Sequence, residues 1–92
     1  MNYKAVCKII GIVESIMASA KDRFTDDNHW KGETSYIDES QNGKLIYVKK
    51  SFIRKNSDDN FYVVRYVFKF DDVGEFQGLH EVVDNKWYLL LS

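Results

Sequence analysis

The dipeptide Asn42-Gly43 constrains the fold more than any other feature, because it separates two segments in which apolar and polar residues alternate. Both residues adopt positive φ readily, as a two-residue type I′ hairpin turn requires. A hairpin closed at this dipeptide pairs Ile37 with Val48 and predicts antiparallel strands over residues 34–40 and 44–55.

The polar run 57–59 predicts a second turn, because serine and aspartate are common turn formers. A three-residue loop there pairs Phe52 with Val64 and begins a strand over residues 61–70. Successive side chains of a strand point to opposite faces. The even face is the predicted core and contains Ile46, Val48, Phe52, Tyr62, Val64, Tyr66, Phe68 and Phe70, together with Lys50 and Arg54. The odd face contains Tyr47, Lys49, Ser51, Lys55, Phe61, Val63, Arg65, Val67 and Lys69.

The C-terminal part of the chain predicts one more hairpin after an acidic loop over residues 71–75. Its strands cover residues 77–83 and 87–91. A three-residue turn between them places Val83 opposite Trp87, and Trp87 is then predicted to lie in the core.

The first 24 residues have helical periodicity. Their polar residues recur every three or four positions, which brings them within one narrow arc of a helix. That arc contains Lys4, Lys8, Gly11, Ser15, Ser19 and Asp22. The opposite arc contains Val6, Ile9, Ile10, Val13, Ile16, Met17, Ala20 and Phe24. Residues 25–33 are polar and are predicted to form a loop that includes Trp30.

Together these elements predict a single α+β domain over residues 1–92, in which one N-terminal amphipathic helix packs on an antiparallel meander of four or five strands. This element order resembles small cystatin-like and NTF2-like domains, in which a helix rests on a curved antiparallel sheet. The segment 84–89 resembles the closing hairpin of many such domains. The resemblance implies a fold and carries no functional motif, so no site is transferred from it.

The net charge of −1 conceals a polarised chain, because residues 44–70 carry a charge of +5 and the remainder −6. Half of the fourteen aromatic residues lie in the same basic segment. Basic and aromatic residues interleaved on strands are suited to binding an acidic protein or a polyanion.

Residues suited to catalysis or metal binding are sparse. Cys7 is the only cysteine, which excludes an internal disulfide and favours a reducing, cytoplasmic location. His29 and His80 are the only histidines, and neither has metal-ligand spacing. The sequence has no glycine-rich phosphate loop, nucleophile elbow or zinc motif. It also lacks an apolar stretch long enough to span a membrane. We therefore expect a protein that is not an enzyme, has no cofactor and does not bind membranes.

Three binding functions remain open. The first is protein binding or self-association through the odd face, as in an inhibitor or immunity-type protein of a phage or toxin system. The second is single-stranded nucleic-acid binding by strands 44–70, against which the pI near 6 and the acidic loops argue. The third is a small ligand in a cavity between helix and sheet, contacted by Tyr66, Lys50 and Arg54. We favour the first, with Tyr47, Lys49, Arg65, Val67, Lys69 and Trp30 as the partner-binding residues.

Overall fold

In the residues that the structure describes, the chain forms one N-terminal helix followed by five strands. A computed structural model describes residues 3–19, 30–40, 42–55 and 57–92, with side chains from residue 37 onward in the first strand. The elements are α1 (Tyr3–Ser19), β1 (Trp30–Glu39), β2 (Leu45–Lys55), β3 (Phe61–Asp71), β4 (Phe76–Val83) and β5 (Lys86–Leu91). All neighbouring strands are antiparallel, in the order β1-β2-β3-β4-β5. This architecture confirms the predicted α+β fold with meander order.

Helix α1 packs on one face of the sheet through residues spaced four apart, Ala5, Ile9 and Val13, which are buried. Every described residue of the predicted polar arc is exposed. Ile10 differs from the prediction, because its side chain is 44% exposed although it was assigned to the apolar arc. The predicted helical residues 20–24 lie outside the described part of the chain.

The core lies between α1 and the even face of β2 and β3. Ile9 and Val13 belong to the same buried cluster as Val48, Phe68 and Phe70. The predicted core face is therefore confirmed, and we call the opposite side of the sheet the outer face. The remaining buried members of the cluster are Ile46, Phe52, Val64, Tyr66 and Leu79.

The registers of the first two hairpins agree with the prediction. Ile37 lies opposite Val48, and Phe52 lies opposite Val64. The first turn is hydrogen-bonded differently from a type I′ turn at 42–43, because the Gly43 amide donates to the Ser40 carbonyl. The register is nevertheless unchanged, since residues 40 and 45 still face each other across the loop.

The last hairpin differs from the prediction by one residue. Val83 pairs with Lys86, and Val82 pairs with Trp87, so the turn consists of Asp84 and Asn85 alone. Both turn residues have positive φ, 51° and 63°, as a type I′ turn requires. A shift of one residue moves a side chain to the other face of a sheet. Trp87 therefore leaves the core and lies on the outer face.

Strand β1 begins at Trp30, within the segment 25–33 that the sequence predicts to be a loop. Trp30 pairs with Arg54, and the register shifts between Trp30 and Gly32. Tertiary pairing with the long strand β2 thus extends β1 into a polar segment with weak strand propensity.

Candidate functional site

The outer face is built from alternate residues of all five strands. On β2 and β3, Lys49 lies opposite Val67 and Tyr47 lies opposite Lys69. On the side of β3 that faces β4, His80 lies opposite Val67. Trp87 of β5 joins this group through a contact with His80, in which the ring centroids are 5.6 Å apart and the rings are nearly perpendicular.

These six side chains line an open groove of about 270 Å³. We call it the outer groove, and its lining residues are Tyr47, Lys49, Val67, Lys69, His80 and Trp87. Val67 is only 1% exposed although it faces away from the helix. The longer side chains around it exclude water and leave an apolar floor with a polar and aromatic rim.

The cations of the groove occupy different electrostatic settings. The Lys49 ammonium lies 5.8 Å from the centroid of the Tyr47 ring and 3.4 Å from Asp38 Oδ2. These contacts hold Lys49 against the β1 side of the groove. For Lys69 no carboxylate lies within ion-pair distance among the described side chains. Lys69 can therefore offer its charge to a partner without first breaking an ion pair.

Arg65 lies on the same face but next to the groove, opposite Ser51 of β2 and Val82 of β4. Its Nε atom is buried and has no hydrogen-bond partner among the described residues. A buried guanidinium nitrogen without an acceptor is costly.

An exposed apolar patch lies further along the same face, and we define it as Ile53, Phe61 and Val63. Their exposed fractions are 43%, 61% and 55%. Ile53 and Val63 are directly paired across β2 and β3. Lys55 borders the patch, 6.0 Å from the Phe61 ring centroid and 3.1 Å from Asp59. The outer face thus combines a cationic aromatic groove with exposed aliphatic surface.

Four of the six predicted partner-binding residues, Tyr47, Lys49, Val67 and Lys69, come together in the outer groove. Arg65 is their neighbour on β3. Trp30 is separated from them, at the start of β1 opposite Arg54, and its side chain is outside the described set.

Sequence reasoning missed two groove residues. The sequence assigns His80 to no site and predicts that Trp87 lies in the core. Asp84-Asn85 was the available signal, because both residue types tolerate positive φ and can form a two-residue turn. That turn places Trp87 and His80 on the same face.

Tyr66, which the sequence predicts to contact a small ligand between helix and sheet, has a hydrogen-bond partner within the protein. Tyr66 is fully buried, its hydroxyl donates to Glu81 Oε2 at 3.0 Å, and its ring packs edge-on against Phe52. Lys50 and Arg54 are partly buried on the same face.

Within the described ranges, no group of three or more histidine, cysteine, aspartate or glutamate side chains could hold a metal ion. No described helix has the length and apolar character needed to cross a membrane. No protein-family model, curated protein or solved structure matches this chain.

Proposed function

We propose that this domain is a non-enzymatic protein-binding module that binds an acidic, partly apolar segment of another protein on its outer face. The observation that carries the proposal is the presence on one face of both the outer groove and the apolar patch Ile53, Phe61 and Val63. Contiguous exposed apolar side chains on a soluble domain commonly mark interaction surfaces.

Charge favours an acidic partner. The described outer-face positions of β1 to β3 carry Lys49, Lys55, Arg65 and Lys69 against the two carboxylates of Asp38 and Asp71, and Asp71 accepts hydrogen bonds from the backbone of the loop that follows it. Electrostatic complementarity chiefly increases the association rate and selects among partners. Carboxylates of the partner would approach Lys69 and Arg65, while its apolar side chains cover the patch.

Trp87 is the candidate anchor of the interface. Tryptophan is enriched among the residues that dominate binding energy, and Trp87 is 56% exposed at the rim of the groove. Its edge-on contact with His80 limits the ring to few orientations, so little conformational entropy remains to be lost on binding.

The proposed role is that of an inhibitor or immunity-type protein of a phage or toxin system that acts in the cytoplasm. Its support is the single cysteine and the absence of catalytic motifs in the sequence. Such proteins act by covering a surface of their target, a task for which one rigid sheet face is sufficient.

The test is affinity capture from nuclease-treated host lysate with immobilised wild-type protein and with the double variant Lys69→Glu/Trp87→Ala. We expect a captured protein whose recovery falls at least about tenfold with the double variant, since truncating an interface anchor commonly costs 2 kcal/mol or more. Calorimetric titration of the purified partner, repeated at higher salt, then measures its affinity.

Lys4→Glu is the matched control, because Lys4 is an exposed lysine of α1 on the other layer of the molecule. It introduces the same change of charge and is expected to leave recovery unchanged. A partner captured equally well by wild type and by Lys69→Glu/Trp87→Ala would contradict binding through the outer groove.

Single-stranded nucleic acid is a second candidate, favoured by the three aromatic rings and two lysines that line the outer groove. Bases stack on exposed aromatic side chains while lysines contact phosphates. Quenching of Trp87 fluorescence by a single-stranded oligonucleotide tests this alternative. Its affinity must fall steeply with salt, and absence of quenching at low salt would exclude it.

A further inference from the structure

We infer that the outer groove binds a small aromatic anion, a single planar ring system that carries one anionic group. The inference does not depend on the protein-binding function proposed above, although both would use the same surface. It rests on three properties that the groove combines, namely its size, its positive charge and its exposed aromatic side chains.

The groove has room for one ring system. An enclosed apolar cavity of about 150 Å³ holds benzene, and the outer groove measures about 270 Å³. Sites for drug-sized ligands are usually larger, roughly 300–1,000 Å³. The floor of the groove is the apolar side chain of Val67, so a ring placed there covers no polar side chain at the base.

The charge of the groove favours an anion. The Lys69 ammonium has no carboxylate within ion-pair distance among the described side chains, whereas the charge of Lys49 is shared with Asp38. His80 adds an imidazole that can donate a hydrogen bond from the β4 side. An anionic group bound at Lys69 would therefore have a cation and a hydrogen-bond donor beside the apolar floor.

Acidic residues limit the positive region to the length of this face. Asp71 lies two residues beyond Lys69 on the same face. The turn that contains Asp58 and Asp59 lies at the other end of β2 and β3, and both residues are exposed. A chain of phosphates that followed β3 would meet these carboxylates, and like charges repel. A ligand with one anionic group avoids them.

Aromatic side chains flank the floor on two sides. Tyr47 lies on the β2 side and Trp87 on the β5 side. Trp87 is 56% exposed, and its contact with His80 restricts the orientation of the indole ring. Offset or edge-to-face contacts with a ligand ring are favourable. An aliphatic anion would lack these contacts, so the groove is better suited to an aromatic one.

Nuclear magnetic resonance titration of the full chain with indole-3-acetate tests the inference. This probe joins one planar ring system to one carboxylate, and for a ligand of its size we expect a dissociation constant of about 1 mM or below. Saturable shifts of the backbone amides are expected at Val67, Lys69, His80 and Trp87. Absence of saturable shifts at about 10 mM probe would overturn the inference, as would shifts confined to α1.

Three matched compounds separate the contributions of charge and ring. Indole-3-acetamide retains the ring without the charge, and cyclohexylacetate retains the charge without the aromatic ring. Each should bind about fivefold more weakly than indole-3-acetate, or weaker still. Phenyl phosphate, a second aromatic anion, should also bind, and its relative affinity distinguishes phosphate from carboxylate. Equal binding of indole-3-acetamide or of cyclohexylacetate would contradict a site for an aromatic anion.

Two variants place the ligand in the groove. Lys69→Met removes the charge but retains an apolar stem, and Trp87→Leu removes the ring. Each should weaken the binding of indole-3-acetate by about fivefold or more. Lys4→Met is the matched control, because Lys4 is an exposed lysine of α1, and it should bind as the wild type does. The amide spectrum verifies that each variant is folded. Folded Lys69 and Trp87 variants with wild-type affinity would overturn the inference.

Discussion

At the scale of single residues, two glycines have opposite roles. Gly74, in the loop between β3 and β4, has a φ of +89°. It lies against the start of α1, where an added Cβ would be 3.4 Å from the carbonyl oxygen of Ala5. Lys8 of the helix forms an ion pair with Glu75 of the same loop. Gly74 therefore permits the backbone conformation that brings the loop to the helix.

We predict that Gly74→Ala lowers the free energy of unfolding by about 1–2 kcal/mol, because alanine disfavours positive φ. The added methyl group makes ordinary contacts, so the cost is conformational. Urea denaturation followed by circular dichroism measures it. Gly11→Ala is the control. Gly11 lies within the exposed polar arc of α1 with open space around it, and alanine there should stabilise by up to about 1 kcal/mol. Equal effects at both positions would contradict this assignment.

Trp87 shows how far a single residue can be predicted from sequence. A tryptophan that is followed by Tyr88 and Leu89 in a strand is expected to be buried, because large hydrophobic side chains are mostly buried in folded proteins. Its exposure follows from the register with β4. The groove lysines, Lys49 and Lys69, were predicted on the correct face of the sheet. The alternation of side chains along β2 and β3 is long enough to fix which face each residue occupies.

At the scale of elements, the turns determine which side chains meet. The Ser57–Asp59 loop was predicted with the correct register, and Asp59 has the positive φ, 64°, that ends such a loop. The last turn was predicted one residue too long. A three-residue turn at 84–86 and a two-residue turn at 84–85 both use turn-forming residues. The choice between them depends on the pairing energy along the whole of β4 and β5.

We predict that Asn85→Val destabilises the domain by about 1–2 kcal/mol, because β-branched residues strongly disfavour the left-handed conformation of Asn85, φ 63°. Asn85→Gly should change stability by no more than about 0.5 kcal/mol, since glycine adopts this conformation readily but also gains entropy in the unfolded state. Thermal unfolding of the three proteins provides the comparison. A valine variant as stable as wild type would contradict the two-residue turn.

At the scale of the whole molecule, the described part of the chain has one helix on one face of one sheet, and the core between them is a single thin layer. We predict that Ile9→Ala reduces the free energy of unfolding by about 2–5 kcal/mol, the usual cost of emptying a fully buried site. This is a large share of the 5–15 kcal/mol typical of small domains. Chemical denaturation measures the loss.

The adjacent residue Ile10 provides the control, since its side chain is 44% exposed. Ile10→Ala should cost less than about 1 kcal/mol. Similar losses at both positions would show that α1 is rotated about its axis relative to the orientation described here.

The fold distributes the basic residues of segment 44–70 over both faces of the sheet. Lys49, Arg65 and Lys69 lie on the outer face, whereas Lys50 and Arg54 share the face of the core aromatics. Most aromatic residues of the basic segment are buried under α1, and Tyr47 is the one that lines the outer groove. The binding surface is accordingly smaller and more apolar than the composition of residues 44–70 indicates.

The sequence by itself determined the element types, the helix face around Ile9 and Val13, the registers of the first two hairpins and the sidedness of β2 and β3. These properties depend on local periodicity and turn chemistry. Only the tertiary structure decided the start of β1, the length of the last turn and the exposure of Trp87 beside His80. Each of these depends on the pairing of whole strands, because competing local preferences differ by less energy than one strand ladder supplies.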